Sequence, residues 1–295
     1  MVKIFGAGGL RGLESYQSGF FISERGHVLT VWSYVLDTES VVVTDDGRRL
    51  EAKLIGSDPR LEIAILKVDA EGNDSFDLQS PSEASAGDRV LAFGNLFGVA
   101  VGDEQPTVLH GTISTRTQLA ARRGAYASRY QGPVYVLDAM TNNPGAAGGA
   151  LTSLDGQLVG MLGKELRNAQ NNTWLNYAIP VEELTSSVAD ILSGKILPRV
   201  SENDVPLPDK PHTLAGLGIV LVPNVLQKTP PFIERLTTDG PAAKAGLRPD
   251  DLILFVAGRT VPSISDLLAE LRRAHRDDEL RLQVLRDGEL IEVEF

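Results

Sequence analysis

The sequence contains no cysteine, so neither a disulfide nor a thiolate metal site can contribute to it, and the redox compartment is left open. Histidine is scarce. The four present, His27, His110, His212 and His275, show no paired spacing, and without a thiolate there is no zinc or copper signature. No cofactor is expected. Positive charge is in short supply: 28 Lys and Arg against 39 Asp and Glu give a net charge of −11. That balance works against affinity for phosphate backbones or anionic lipid, so nucleic acid is not an expected partner. No apolar run approaches membrane-spanning length, and Met1 to Leu10 is too short and glycine-rich for the apolar region of a signal peptide.

What is present describes an ordinary globular protein. Apolar residues make up 42% and charged residues 23%, and 295 residues suffice for two domains with their own cores. From about residue 14 to 180 short strand-like runs alternate with turn signals. Val41 and Val43, then Leu50, Ala52 and Leu54, alternate on either side of Asp46-Gly47, as in a hairpin with one buried face. Further strand candidates run from Glu62 to Val68, Arg89 to Gly94, Thr107 to Thr117, Val134 to Ala139, Ala150 to Leu162 and Thr173 to Ile179. Many short, evenly spaced strands point to barrels rather than a parallel sheet.

The period then changes. Val181, Leu184, Val188, Ile191 and Leu192 fall on one helical face, with Gly194 placed as a stop. Prolines at 198, 206, 208 and 211 mark 198–214 as a linker. The expected organisation is therefore a first domain over 1–197, the linker over 198–214 and a second domain over 215–295.

Asn143-Pro144-Gly145-Ala146-Ala147-Gly148-Gly149-Ala150-Leu151 resembles the nucleophile loop of the HtrA/DegP-type serine proteases, N-P-G-N-S-G-G-P-L, with Ala147 where the attacking serine belongs. Gln17 to Val35 resembles the segment that carries the family's histidine, and counting from Leu29-Thr30 puts Ser33 at that position. Asp58-Pro59-Arg60-Leu61-Glu62-Ile63-Ala64-Ile65-Leu66-Lys67 resembles the family's D-P-x-x-D-L-A-V-L-K, with Glu62 at the aspartate position. Acyl transfer needs an activated nucleophile, a base and a group orienting that base. The set Ser33, Glu62 and Ala147 supplies a neutral hydroxyl with nothing to deprotonate it, a carboxylate with nothing to orient and a methyl group. An alanine introduced to trap a protease would leave the histidine and aspartate in place, and neither stands here. None of the four histidines lies in a context that supplies the base.

The resemblance implies a trypsin-like fold of two six-stranded β-barrels followed by a small α+β PDZ domain, so the fold is mainly β. By the same resemblance, the backbone amides of Gly145 and Ala147 form an oxyanion-hole-like pair, which does not depend on side-chain identity. Asn176 replaces a glycine lining the specificity pocket, so an occluded or reshaped pocket is expected. Arg116 to Arg129 occupies the place of the family's regulatory loop and reads as a solvated basic surface loop, or more sharply as a contact for an acidic neighbour. Gly240 to Leu254 resembles the PDZ segment S-P-A-A-x-A-G-L-x-x-G-D-x-I, with Asp250 where glycine is usual. Ser265 to Leu271 begins a capped helix, and a hairpin around Asp287-Gly288 ends the sheet.

Such a domain binds peptides by strand addition and holds the terminal carboxylate in a nest of N–H groups. Leu217, Gly218 and Ile219 are the candidates for that loop. Leu268 and Leu271 are candidates for the groove wall, with packing on the sheet the equal alternative. The resemblance also implies a trimer, an extracytoplasmic location and a leader or anchor removed from this chain. Three functions stand at this point: an inactive scaffold or adaptor binding peptides through its PDZ domain, an active endopeptidase using a different constellation, and a structural subunit that modulates active relatives.

Overall fold

The computed structural model describes residues 1–6, 15–36, 39–79, 82–123, 126–143, 145–197, 207–224 and 228–295. Contacts divide the chain into two compact units, Met1–Ala121 with Arg129–Glu202 and Arg122–Ser128 with Asn203–Phe295. The expected linker lies outside the described residues over 198–206, as does Pro144 of the glycine-rich loop.

In the first unit, β1 (Val2–Phe5), β2 (Tyr16–Phe21), β3 (His27–Val31), β4 (Ser40–Thr44), β5 (Arg49–Asp58) and β6 (Ile63–Val68) close into an antiparallel barrel in the order β1-β2-β3-β6-β5-β4. There follow β7 (Arg89–Gly94), β8 (Thr107–Gln118), β9 (Ala121–Arg123) and β10 (Tyr126–Ala127), the last two grouped from Arg122 onward with the second unit, and then β11 (Pro133–Leu137), β12 (Ala150–Ser153), β13 (Leu158–Leu162), β14 (Leu166–Asn168), β15 (Trp174–Leu175) and β16 (Tyr177–Pro180). Six of these close a second barrel in the order β11-β16-β13-β12-β7-β8. The two six-stranded barrels are those the resemblance implied.

Two-sided burial explains why the strands read as near-continuous apolar runs. Along β6, Ala64 and Leu66 join the core inside the first barrel, while Ile63 and Ile65 join a second core shared with Val134, Ala150, Met161 and Ile179 of the second barrel. Alternate side chains thus enter different cores, as the strand period of two requires. Helix α1 (Val181–Leu192) lays Val181, Leu184, Val188 and Ile191 on that shared core.

Several expectations shift in detail. The run from Ala150 to Leu162 is two strands, β12 and β13, because Gly156 takes φ +81 and turns the chain. Thr173 to Ile179 is interrupted at Asn176. Glu62 lies outside β6, since its φ of +54 is incompatible with a strand. On α1, Leu192 is 43% exposed and Ser187 takes the buried place. The solvated basic loop is also corrected: Leu119 and Ala121 join the shared core, Arg122 is buried, and β9 and β10 pair with each other. Gly124 and Ala125 of that segment are outside the described residues.

The second unit holds α2 (Leu214–Leu217), β17 (Ile219–Leu221), β18 (Ile233–Leu236), α3 (Pro241–Lys244), β19 (Leu252–Val256), β20 (Arg259–Thr260), α4 (Ile264–Arg273), β21 (Arg281–Arg286) and β22 (Glu289–Glu294). β17 and β18 form one ribbon, and a second sheet runs β20-β19-β21-β22. Leu217, Ile219, Ile253, Leu267, Leu282 and Val284 share its core. The cap of α4 is Ser263 rather than Ser265: its hydroxyl accepts from the Asp266 amide at 3.2 Å and donates to the Asp266 carboxylate at 2.6 Å. Asp287 and Gly288, at φ +50 and +87, make the turn of the last hairpin. Asp250 stands at φ +70, a region that glycine favours and that aspartate tolerates better than most residues. His212 is buried where a linker was expected, its amide bonded to the Ala274 carbonyl at 2.9 Å.

Candidate functional site

Ser33 follows β3, where the chain leaves the first barrel for a 3-10 turn over Tyr34–Leu36. Its side-chain oxygen accepts from the Val35 amide at 3.1 Å and its carbonyl accepts from the Leu36 amide at 3.1 Å, so Ser33 caps that turn. The Ser33 hydroxyl donates to Gln17 Oε1 at 2.5 Å. Gln17, buried on β2, spends its amide hydrogens on Thr30 Oγ1 at 2.7 Å and the Val31 carbonyl at 2.9 Å. Thr30 donates in turn to the Ser18 carbonyl at 2.6 Å.

The chain of bonds reaches the glycine-rich loop through Ser18. Its hydroxyl accepts from the Asn95 amide at 2.7 Å and donates to the Gly145 carbonyl at 2.6 Å, while its amide donates to the Ala147 carbonyl at 3.0 Å. Ser33 and Ala147 are thereby tied to two consecutive residues of β2. Gly145 takes φ +87, and a Cβ there would lie 2.0 Å from the Asn95 carbonyl oxygen, so no other residue fits. Ala147 is half-buried, its methyl packed on the shared core. Among the described residues, the amides of Gly145 and Ala147 donate to no backbone carbonyl. They are therefore two N–H groups with spare hydrogen-bonding capacity on one tight loop.

Glu62 joins this cluster, its carbonyl accepting from the Trp32 amide at 2.7 Å. With no base beside it, its carboxylate pairs with a cation: Lys164 Nζ stands 2.9 Å from Glu62 Oε1, with the two side chains 14% and 25% exposed. The Lys164 amide donates to the Tyr177 hydroxyl at 3.1 Å, which fixes where its side chain starts. No motif signals a pair 102 positions apart. Gln17 escaped notice for a similar reason. It opens the segment that carries the resemblance, but its bonds depend on the β2–β3 register, with Gly19 opposite Thr30.

Asn176 sits in a network of amide hydrogen bonds. The Asn142 amide donates to Asn176 Oδ1 at 2.9 Å, and the Asn142 side chain donates to the Leu166 and Leu175 carbonyls, each at 2.9 Å. The Leu137 amide reaches the Asn176 carbonyl at 2.8 Å.

The histidines lie elsewhere. His27 Nδ1 is 2.8 Å from Ser23 Oγ in the turn before β3, and burial, helped by Lys67 and Arg25, lowers its pKa. His110 is exposed on β8. His212 is held below its ordinary pKa chiefly by burial. Among the described residues no group of three or more His, Asp or Glu is placed to hold a metal ion, and no helix is long and apolar enough to cross a membrane.

In the second unit, Thr213 caps α2 by accepting from the Gly216 amide at 3.0 Å, and Gly218 ends it at φ +75. Leu217 and Ile219 point into the core. Leu271 is 1% exposed and belongs to the same core, which is its packing alternative, whereas Leu268 is half-buried outside it.

A family model for the trypsin-like peptidase domain matches residues 17–161, and one for the PDZ domain matches residues 215–295. A probable periplasmic serine endoprotease, DegP-like, from Halomonas elongata is 31% identical over 286 residues, covering 94% of this chain and 55% of the relative. A protein of the same description from Pseudomonas fulva is 31% identical over 295 residues, covering 96% and 56%. The chain spans about half the length of these curated relatives. Among solved structures, the HtrA-type protease AlgW with a decapeptide is similar at 25% identity and TM-score 0.51, over 96% of this chain and 82% of that one. AlgW with a tripeptide shares the fold at 24% identity and TM-score 0.51, over 99% and 91%. With both barrels, the PDZ match and these relatives in agreement, the chain belongs to the HtrA/DegP-like family of trypsin-like peptidases with a PDZ domain.

Proposed function

We propose that this chain is a catalytically inactive member of its family, a scaffold or adaptor that binds peptide segments through its PDZ domain. The observation that carries the reading is the occupancy of three positions. Ala147 offers a methyl group where a nucleophile is required, Ser33 donates its only hydroxyl hydrogen to Gln17, and Glu62 pairs with Lys164. Removing the nucleophile alone leaves the residual effect of binding and the oxyanion donors. Here the base is missing too, so no proton path replaces it. The spare amides of Gly145 and Ala147 retain the capacity to hold a carbonyl or carboxylate oxygen.

Peptide binding through the PDZ domain is supported by the matched family model and by the likeness to AlgW, whose structure holds a decapeptide. The names of the relatives support a periplasmic or other extracytoplasmic location, and the family resemblance supports a homotrimer. The test is a pair of assays on the purified chain. Fluorescent casein is expected to remain uncleaved at the rate of the buffer control, while an array of decapeptides yields saturable binding. Casein turnover that persists through repurification, or no binding across the array, overturns the reading.

A further inference from the structure

We propose that the second unit accepts an internal, extended stretch of polypeptide along β17 and does not select for a free terminal carboxylate. The inference deepens the peptide-binding reading and rests on it. Holding a carboxylate in a nest needs several converging, unused N–H groups, and Leu217, Gly218 and Ile219 are the positions available for it. Two of the three amides are already spent. The Leu217 amide donates to the Thr213 carbonyl at 3.0 Å and the Gly218 amide to the Ala215 carbonyl at 3.1 Å, closing the turn of α2. Thr213 Oγ1 takes the Gly216 amide at 3.0 Å, so that turn is capped as well as closed.

The third amide faces a different way. Ile219 stands opposite Leu236 on β18, yet the bond at this point runs from the Thr237 amide to the Gly218 carbonyl at 2.8 Å. That pattern marks Ile219 and Leu236 as a pair that exchanges no hydrogen bonds, so the N–H and C=O of Ile219 point to the opposite edge. The same holds two residues on. Leu221 stands opposite Ile233, and the Val222 amide donates to the Phe232 carbonyl at 3.0 Å, so the N–H and C=O of Leu221 also face outward. Residues two apart on one strand face the same edge, and the register shift between Val220 and Leu221 places its extra residue, Glu234, on β18.

Among the described residues β17 pairs only with β18, and the Ile219 and Leu221 amides have no acceptor. Two donors and two acceptors at strand spacing suit the backbone of an added strand. They do not suit a lone carboxylate, which brings acceptors only.

The experiment compares decapeptides, apolar at alternate positions, each prepared as free acid, as C-terminal amide and with a Gly-Ser extension beyond the last residue. Binding to the full chain is read by fluorescence anisotropy. Acid, amide and extended forms are expected to bind within about twofold of one another. A preference of tenfold or more for the free acid overturns the inference while leaving peptide binding intact. Binding by none of the three overturns the peptide-binding reading itself. Leu221→Pro removes an N–H that β18 does not use, and is expected to weaken all three forms about fivefold relative to Leu221→Ala, which loses the same packing on the core but keeps the N–H. Equal affinity in the two variants places the peptide elsewhere and contradicts the proposal.

Discussion

Ser33 has one hydrogen to donate and gives it to Gln17, whose own two amide hydrogens are fixed by Thr30 and Val31. A hydroxyl held as a donor while capping a turn serves the local structure. Asp58 shows the same conversion of polar groups into scaffold. Its buried carboxylate accepts from the Arg60 amide at 2.9 Å, from Arg60 Nη2 at 2.8 Å and from Ser187 Oγ at 2.6 Å, joining the end of β5 to α1. Burial alone would raise its pKa, but the bonds from Arg60 and Ser187 outweigh that and lower it. A carboxyl whose folded pKa is lowered contributes stability fully above its unfolded value of about 3.9 and loses it as pH falls through the folded value. Urea denaturation between pH 7 and pH 3 should therefore show the chain weakening at the acid end. Asp58→Asn should cost about 1–3 kcal/mol at pH 7 and reduce that acid dependence. An unchanged acid limb in the variant would show that Asp58 does not set it. The segments around Ser33, Glu62 and Ala147 single these residues out, and the hydrogen bonds tie Ser33 and Ala147 to adjacent residues of β2. The partners Gln17 and Lys164 were not legible in the sequence, because each contact depends on register or on chain separation that local pattern does not carry.

At the scale of elements, α1 shows what helical periodicity captures. Val181, Leu184, Val188 and Ile191 do line the buried face, but Leu192 falls just past its edge and Ser187 sits within it, drawn in by the bond to Asp58. Leu184→Ala should destabilise the chain by about 2–5 kcal/mol, as expected for a leucine wholly enclosed in a core. Leu192→Ala should stay within about 0.5 kcal/mol of the parent. Equal losses in a denaturation titration would contradict the assigned face. Strand boundaries were legible where turns were marked by glycine beside aspartate, as at Asp46-Gly47 and Asp287-Gly288. The same pair at Asp155-Gly156 was passed over, because it lies in a run that is apolar on both sides of the turn. The run from Ala150 to Leu162 read as one strand because β12 and β13 are both enclosed by cores, so the alternation that ordinarily announces a strand is absent.

For the whole molecule, two closed barrels and a separate smaller unit follow from many short strands, a change of period at Val181 and a proline-rich stretch. The family motifs added which barrels these are. The resulting scaffold keeps the tight loop at Gly145 to Gly148, and on the proposed reading the methyl group of Ala147 stands where a nucleophile would be required. The most direct measurement is intact-protein mass spectrometry after exposure to a fluorophosphonate probe, with an active serine protease treated alongside. The account predicts that the control gains the mass of the adduct and this chain stays at its unmodified mass. A stoichiometric adduct mapped by peptide digestion to the cleft beside Ala147 would contradict it.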